Sequence, residues 1–157
     1  LVISKYTLDC QPYGYGTNVT WETSSLRKWI NKDFIKAAFS DVEKEMIPTV
    51  MVSADKNPEF NTYQGNDTKD KVFLLSIKEA NQYFKTDYER RCKPTTYASD
   101  RGVFTEGYNG NCYWCLRTAG WTRCTTGVGA DGTIGAGGRY VDNQLAVRPA
   151  FWINLNT

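Results

Sequence analysis

The sequence predicts an α+β fold, with helices packed on a small twisted antiparallel sheet and an irregular, loop-rich C-terminal third. Its 157 residues are 41% hydrophobic and 23% charged, which is ordinary for one globular domain. Beyond Glu106 there is no Lys and no Glu, and six of the twelve residues 127–138 are glycine. Because helix-favouring residues come first, we expect one domain over residues 1–157, with a helical scaffold at 1–106 and a strand and loop part at 107–157.

An N-cap and a stripe of apolar residues predict the first helix. Either Ser24 or Ser25 can accept a hydrogen bond from a backbone N–H at the start of the helix. The i, i+3, i+4 spacing of one buried helix face then follows and continues to Phe39. The residues that define this face are Leu26, Trp29 and Ile30.

Two capping boxes predict further helices. Ser40 and Ser76 each stand three residues before a Glu, so that side chain and backbone can bond reciprocally at the helix start. The first of these helices is expected to stop before Pro48, which disfavours helix at the residue before it. The second is expected to run through Phe84.

Apolar runs and turn residues predict the strands. The continuous apolar run at 72–75 is typical of a buried strand, and the polar stretch 56–71 before it is most simply a surface loop. Residues 113–117 and 146–153 are also predicted to be strands. The Asp131-Gly132 pair is typical of a turn between two further strands.

Several large residues are expected to serve the structure. Trp29, Trp114 and Trp152 stand at positions where the spacing favours burial in the core. Arg117 and Arg148 adjoin predicted core strands, so we interpret them as structural residues with partners rather than as ligand contacts.

Charge and composition exclude several functions. The net charge is +2 and no run of basic residues exists, which argues against a nucleic-acid partner. No apolar stretch approaches the roughly 20 residues that span a bilayer, so we expect no membrane insertion. The chain begins at Leu1 without Met, which we interpret as a module of a larger polypeptide. It contains no His, so the commonest nucleophile–base pairs and metal ligands are missing, and we predict that it is not an enzyme.

Neither cysteines nor acidic residues predict a cofactor or a metal. Cys112 and Cys115 have C-x-x-C spacing, which suits a redox pair or half of a zinc site, but no second close pair exists. Ordinary half-buried thiols are the simpler interpretation. Residues 66–70 carry oxygen ligands suited to calcium without a full ligand set, so a polar turn is expected there. We therefore predict no cofactor.

An ordered set of motifs resembles a known family. The two most specific are Trp114-Cys115-Leu116-Arg117-Thr118-Ala119-Gly120 and Val147-Arg148-Pro149-Ala150-Phe151-Trp152-Ile153. Before them come Trp21-Glu22, Leu26-Arg27-Lys28-Trp29-Ile30-Asn31, Asp70-Lys71-Val72-Phe73-Leu74-Leu75-Ser76 and Tyr97-Ala98, and Asp131-Gly132 lies between them. Together they resemble an uncharacterised bacterial domain family with a "WWLRSPG" segment and a closing "VRPALWI". Cys115, Thr118 and Ala119 depart from the first of these motifs.

The resemblance implies both a fold and a function. The family is similar to the C-type-lectin-like fold, in the branch shared with formylglycine-generating enzymes, and to the variable proteins of diversity-generating retroelements. In such variable proteins a C-terminal cassette is rewritten at chosen codons while the scaffold is kept. The resemblance therefore implies a non-catalytic ligand-binding module whose binding face, in the C-terminal part, is open to diversification.

Laid on this chain, the variable pattern divides the C-terminal part into scaffold and displayed positions. The scaffold positions would be Leu116, Arg117, Gly120, Val128, Asp131, Gly132, Ile134, Gly138, Val141 and residues 147–149. The ligand-binding positions would be Trp121, Thr122, Arg123, Cys124, Gly127, Gly129, Ala130, Thr133, Gly135, Ala136, Gly137, Arg139, Tyr140, Asn143 and Gln144.

Other interpretations of these residues stay open beside this hypothesis. Trp121, Arg123, Arg139 and Tyr140 are residue types that dominate binding energy when exposed, but Trp121 and Tyr140 could instead cover the core edge. The expected ligand is a protein or glycan on another cell or particle, with this chain on a cell surface or viral particle. The alternatives are a fixed structural or adhesive domain of a surface or fibre protein, or an enzyme of formylglycine-generating type that uses Cys112 and Cys115.

Overall fold

Short helices occupy the first two thirds of the chain. The computed structural model describes residues 1–105, 107 and 109–155. The α-helices in that part are α1 Ser25–Trp29, α2 Ile35–Ala38, α3 Asp41–Met46, α4 Ile77–Tyr83, α5 Asp87–Arg90 and α6 Thr96–Asp100. All of them precede residue 101, which confirms the predicted place of the helices. The strands are not confined to the later part, since five of the ten in the described chain lie before residue 74.

The first helix is longer than its α-helical parts. The Ser24 hydroxyl accepts a hydrogen bond from the Arg27 N–H at 3.1 Å, which confirms the predicted N-cap. A π-helical turn, Ile30–Phe34, then joins α1 to α2 without a break. Leu26 and Ile30 are buried, whereas Trp29 is half-buried with its ring 5.7 Å from that of Phe34.

Helix capping follows the sequence closely. The boxes at Ser40 and Ser76 both form and begin α3 and α4. A third box at Thr86 begins α5, and Thr95 caps α6. These last two helices were not predicted, because helices of four or five residues are too short to show an apolar stripe.

Ten short strands form three sheets in the described chain. The main sheet has the order β2-β9-β6-β7-β8, a second has β1-β10-β5, and β3 pairs with β4. The strands are β1 Val2–Ile3, β2 Asp9–Gln11, β3 Val50–Val52, β4 Thr68–Asp70, β5 Val72–Phe73, β6 Trp114–Ala119, β7 Cys124–Val128, β8 Ile134–Tyr140, β9 Leu145–Val147 and β10 Ala150–Phe151. The α+β class is therefore confirmed.

Two strand predictions need correction. The sheet is not wholly antiparallel: β6 and β9 are parallel, with Trp114 opposite Ala146, because the chain crosses from the β8 edge to the far side of β6. The predicted strand 146–153 is two strands in two sheets. It breaks at Arg148-Pro149, since proline has no N–H to donate to a ladder.

The predicted loop and the buried run also differ in detail. Within the stretch 56–71, residues 68–70 form β4 and pair with β3, so the loop is shorter than expected. In the apolar run 72–75, all four residues are buried but only the first two lie in a strand.

The core joins strands from both ends of the chain. Trp114 is fully buried, and its indole N–H donates to the Arg90 carbonyl at 2.9 Å. The N-terminal strands pair with C-terminal ones, Val2 opposite Phe151 and Asp9 opposite Val147. Trp152 is 40% exposed, so its predicted place in the core is wrong: it lies just after β10, beyond the last strand pairing.

The two arginines make the structural contacts that the sequence predicts. Arg117 is buried, forms an ion pair with Glu79 and donates to the Leu74 carbonyl at 2.8 Å. Arg148 is buried as well, and its Nε donates to the Ser4 carbonyl at 2.9 Å.

Candidate ligand-binding site

A β-hairpin forms the framework of the candidate site. Strands β7 and β8 pair from Val128 opposite Ile134 to Cys124 opposite Tyr140. The predicted Asp131-Gly132 turn joins them, and Gly132 adopts a φ of 93°, which favours glycine. The register shifts between these two ends, so that three residues of β8, 136–138, stand opposite the single residue Thr126 and form a bulge in the ladder.

The turn between β6 and β7 projects the most prominent residues. Gly120 N–H donates to the Cys124 carbonyl and Cys124 N–H to the Trp121 carbonyl, both at 2.8 Å. Trp121 N–H donates to the Gly137 carbonyl at 2.9 Å, which ties this turn to the bulge in β8. The Trp121 side chain is nonetheless 64% exposed. The predicted turn residues are therefore displayed from a rigid backbone.

A groove of about 420 Å³ lies beside this turn. We call it the hairpin groove. Its walls are residues 60–63 on one side and 121–124 on the other, completed by Asn18, Val19 and Ala119. Aromatic rings and amide or hydroxyl groups dominate the lining, and Arg123 is its one charged residue among those described.

Two amide side chains fix the wall formed by residues 60–63. The Asn57 amide group donates to the carbonyls of Ala119 and Ala136, at 3.1 and 2.8 Å. Its oxygen accepts from the backbone N–H groups of Glu59 and Phe60. Gln64 bonds both backbone groups of Ala119. This polar segment is thus docked on the end of β6 and on the bulge of β8.

Sequence reasoning missed this wall. The segment was interpreted as an ordinary loop, and none of its residues was included among the ligand-binding positions. Thr62 also belongs to it, since its hydroxyl donates to the Gly120 carbonyl at 2.8 Å. The only signal was the density of Asn, Gln and Thr side chains, which is equally typical of a solvated loop.

The structure brings together one group of predicted residues. Trp121, Thr122, Arg123 and Cys124 line the hairpin groove. Tyr140 is 58% exposed and lies opposite Cys124, so both side chains leave the same face of the sheet.

Other predicted residues lie elsewhere on the surface. Thr133 and Gly135 are exposed at the opposite end of the hairpin, and Asn143 and Gln144 are exposed in the turn after β8. Arg139 leaves the other face of β8, where its guanidinium lies 4.0 Å from the centroid of the Tyr113 ring. The four expected anchor residues therefore do not form one cluster.

Three predicted positions are buried, so their placement on a binding surface is wrong. Gly127 is covered by Tyr113: a Cβ at this glycine would lie 2.2 Å from the Tyr113 hydroxyl. Ala136 points into the hydrophobic core and Ala130 is 3% exposed. Gly129 and Gly137 are half-buried.

Comparison with known proteins places the chain in a family. A family model described as a domain of unknown function, DUF6273, matches residues 1–155. The chain belongs to the DUF6273 family. No curated protein and no solved structure matches it. The expected membership in an uncharacterised domain family is thereby confirmed.

Four of the five cysteines of this DUF6273 domain are buried thiols, where half-buried ones were expected. Burial raises the pKa of Cys112 to about 11 and that of Cys115 to about 12, so neither is a thiolate at neutral pH. Cys124, at the edge of the hairpin groove, is half-buried, and burial raises its pKa against the opposing influence of Arg123. This protonation argues against nucleophilic chemistry at the C-x-x-C pair.

Potential metal ligands of the DUF6273 domain are otherwise engaged. Across the described residues no three His, Cys, Asp or Glu side chains are grouped for a metal ion. In the segment considered for calcium, Asp70 accepts hydrogen bonds from Trp21, Arg27 and Thr68. Asp67 accepts from the Ala54 N–H. Within the same described residues, no helix is long and apolar enough to cross a membrane.

Proposed function

We propose that this DUF6273 domain is a non-catalytic ligand-binding module whose site is the hairpin groove. The observation that carries the proposal is the display of Trp121, which is 64% exposed although its own backbone is hydrogen-bonded on both sides. Tyr63 and Tyr140, at 69% and 58% exposure, present two further rings from the facing wall and the neighbouring strand. Trp and Tyr are among the residue types that contribute most binding energy at interfaces, and here they are exposed on a hydrogen-bonded backbone.

The lining indicates what kind of ligand the groove serves. Aromatic rings pack against apolar faces, whereas Asn18, Asn61 and Thr122 supply neutral hydrogen-bonding groups. Arg123 adds one positive charge without a carboxylate among the described lining residues. These features suit a protein or glycan ligand on another cell or particle. They accord with a place for this domain on a cell surface or viral particle, within a larger polypeptide.

The finer part of the proposal is a C-type-lectin-like fold with a diversified face. Its support is the resemblance together with the arrangement of the hairpin, where a hydrogen-bonded scaffold carries exposed side chains that make little contribution to the core. Because Gly127, Ala130 and Ala136 are buried, we leave them out of the proposed variable positions. The remaining positions are Trp121, Thr122, Arg123, Cys124, Gly129, Thr133, Gly135, Gly137, Arg139, Tyr140, Asn143 and Gln144.

A binding experiment tests the module itself. The labelled domain would be applied to an array of defined glycans and to immobilised bacterial surface proteins. Trp121→Ala should reduce any specific signal by at least about tenfold, since a central aromatic anchor contributes about 2 kcal/mol or more. The matched control is Tyr97→Ala, which removes a ring of 58% exposure outside the hairpin. Equal loss in both variants, or unchanged binding by Trp121→Ala, would exclude the hairpin groove as the site.

Population sequencing tests diversification separately. The coding region would be sequenced deeply across natural populations of the source. We expect substitutions concentrated at adenines of the exposed codons, with Gly127, Ala130 and Ala136 invariant together with the scaffold positions. Evenly scattered changes, or none, would leave a fixed adhesive or structural domain.

A further inference from the structure

A second pocket lies away from the hairpin groove, beside the end of α5 and the link between β1 and β2. It has a volume of about 550 Å³, within the range of small-molecule sites. Four cationic residues line it, and no carboxylate does so among the described residues. They are Lys5, Arg91, Lys93 and Arg148.

Arg148 makes this pocket more than a basic patch. Its side chain is at the pocket wall although the residue is only 5% exposed. It donates to the carbonyls of Ser4 and Arg90, and its guanidinium lies 4.8 Å from the Trp114 ring centroid. All these partners are neutral, and within the described chain no carboxylate forms an ion pair with it. A buried charge without a counter-charge is costly, so an anion that reaches it gains an unusually strong partner.

Three acidic side chains on or next to the elements around the pocket have other hydrogen-bond partners. Asp87 forms an ion pair with Arg90. The Glu89 carboxylate accepts from the backbone N–H groups of Lys85 and Thr86 at the start of α5. Asp131 accepts from the backbone and hydroxyl of Thr133. Among the described residues no carboxylate forms an ion pair with any of the four cations, although the charges of Asp131 and Arg91 attract one another.

The remaining cations are arranged around the same opening. Arg91 is fixed by donation from its Nε to the Asp131 carbonyl at 2.9 Å, and its guanidinium lies 5.2 Å from the centroid of the Tyr88 ring. The Lys5 ammonium lies 5.5 Å from the Tyr6 ring centroid. Both rings line the pocket beside the cations. The opening thus combines positive charge with two aromatic surfaces.

We propose that this pocket binds an oxyanion, namely the carboxylate, sulfate or phosphate group of a small ligand. The anionic group binds toward Arg148 with Lys5, Arg91 and Lys93 around it, and a ring of the ligand packs against Tyr6 or Tyr88. The site shares no lining residue with the hairpin groove, so it does not depend on the function proposed for that groove.

Titration with simple anions tests the proposal. Inorganic sulfate, inorganic phosphate, benzoate and phenyl phosphate would be added to the intact domain at constant ionic strength, made up with chloride. Binding would be followed by calorimetry and by the rise in Tm. We expect saturable binding of at least one oxyanion, tighter for its phenyl form, and the preferred probe distinguishes carboxylate, sulfate and phosphate ligands.

Matched charge variants provide the decisive comparison. Lys5→Gln/Lys93→Gln removes two exposed cations of the pocket, and Lys28→Gln/Lys69→Gln removes two exposed lysines elsewhere. The first pair should weaken oxyanion binding by at least about tenfold, since it removes two of the charged hydrogen-bond donors around the anion, whereas the second should not. Trp121→Ala should bind the anion normally. Equal weakening by both pairs, or stabilisation by chloride as strong as by the oxyanions, would overturn the proposal.

Discussion

Asn57 shows how a single side chain can assemble a binding surface. Its amide bonds one carbonyl of β6, one carbonyl of β8 and two backbone N–H groups of its own segment, while only 8% of the residue is exposed. No aliphatic residue could satisfy these groups, because each buried N–H or C=O needs a partner. The facing wall of the hairpin groove therefore depends on a residue of the helical part, not on the displayed positions.

Replacing Asn57 tests that dependence. Asn57→Ala should lower the free energy of unfolding by about 2–3 kcal/mol, because several buried backbone groups lose their partner. It should also loosen the segment that carries Tyr63, which amide hydrogen exchange at residues 59–64 would detect. Urea unfolding of the variant gives the change in free energy.

The neighbouring Asn61 provides the control. It is exposed, and Asn61→Ala should change the free energy of unfolding by no more than about 0.5 kcal/mol, as is usual at such surface positions. If Asn57→Ala were as mild as Asn61→Ala, the wall would be held by other contacts.

The two buried arginines of the family motifs differ in their charge balance. Arg117 has Glu79 and Asp55 as acidic partners, whereas Arg148 has carbonyl groups and aromatic rings. Sequence alone predicts that both are structural, yet only the contacts reveal that one of them has no acidic partner among the described residues.

At the scale of elements, the bulge in β8 shapes the end of the hairpin where Cys124 and Tyr140 are paired. Gly138 has a φ of 77°, and a Cβ there would lie 2.0 Å from the Thr125 carbonyl oxygen. Gly135 is exposed, and its Cβ would meet nothing closer than 3.8 Å. Two glycines three residues apart thus have different reasons to be there.

This difference gives a paired prediction. Gly138→Ala should destabilise the domain by at least about 1–2 kcal/mol, since a left-handed conformation is strained for alanine and the carbonyl must also move. Gly135→Ala should be neutral or slightly stabilising, because alanine loses less backbone entropy than glycine. Thermal unfolding of both variants provides the comparison. A similar loss in both would mean that the bulge is not the source of the constraint.

An element can be predicted from the sequence when the interactions that form it join residues close together in the chain. Capping boxes at Ser40 and Ser76 and the Asp131-Gly132 turn need only a few consecutive residues, so the sequence predicts them. The docking of residues 57–64 depends on carbonyls about 60 and 80 positions away, and no local pattern encodes it. The turn residues of the candidate site were predicted through resemblance, but their facing wall was not.

Burial along a strand is also a long-range property. Gly127 was expected on the surface, yet Tyr113 lies over it. Trp152 was expected in the core, yet it lies beyond the last pairing of β10. Each depends on which strand becomes the neighbour, and spacing within one strand does not decide that.

At the scale of the whole molecule, strands from the two ends of the chain complete one another's sheets. The first and last strands, β1 and β10, pair directly, and β2 extends the main sheet beside β9. The C-terminal part, which carries the displayed residues, thus rests on N-terminal strands. Between them lie Cys112 and Cys115, both fully buried in the core.

These thiols make alkaline stability a property of the whole fold. Burial raises the pKa of Cys112 to about 11 and of Cys115 to about 12, above the value of about 8.5 that they take when unfolded. The folded state therefore holds these protons more tightly than the unfolded state does. Their contribution to stability is full below about pH 8.5 and is lost as the pH rises towards 11 and 12. We expect the free energy of unfolding to be level from pH 7 to 8 and to fall steadily between pH 8.5 and 10.5.

Urea unfolding across that pH range measures the decline in the free energy of unfolding. The variant Cys115→Ala tests whether ionisation of this thiol causes it. This variant should be less stable at pH 7, because it leaves a small cavity, but its free energy of unfolding should fall less steeply above pH 8.5. Cys124→Ala, at the half-buried cysteine, should keep most of the wild-type slope. If Cys115→Ala declined as steeply as the wild-type chain, ionisation of the core thiols would not be what destabilises the fold at alkaline pH.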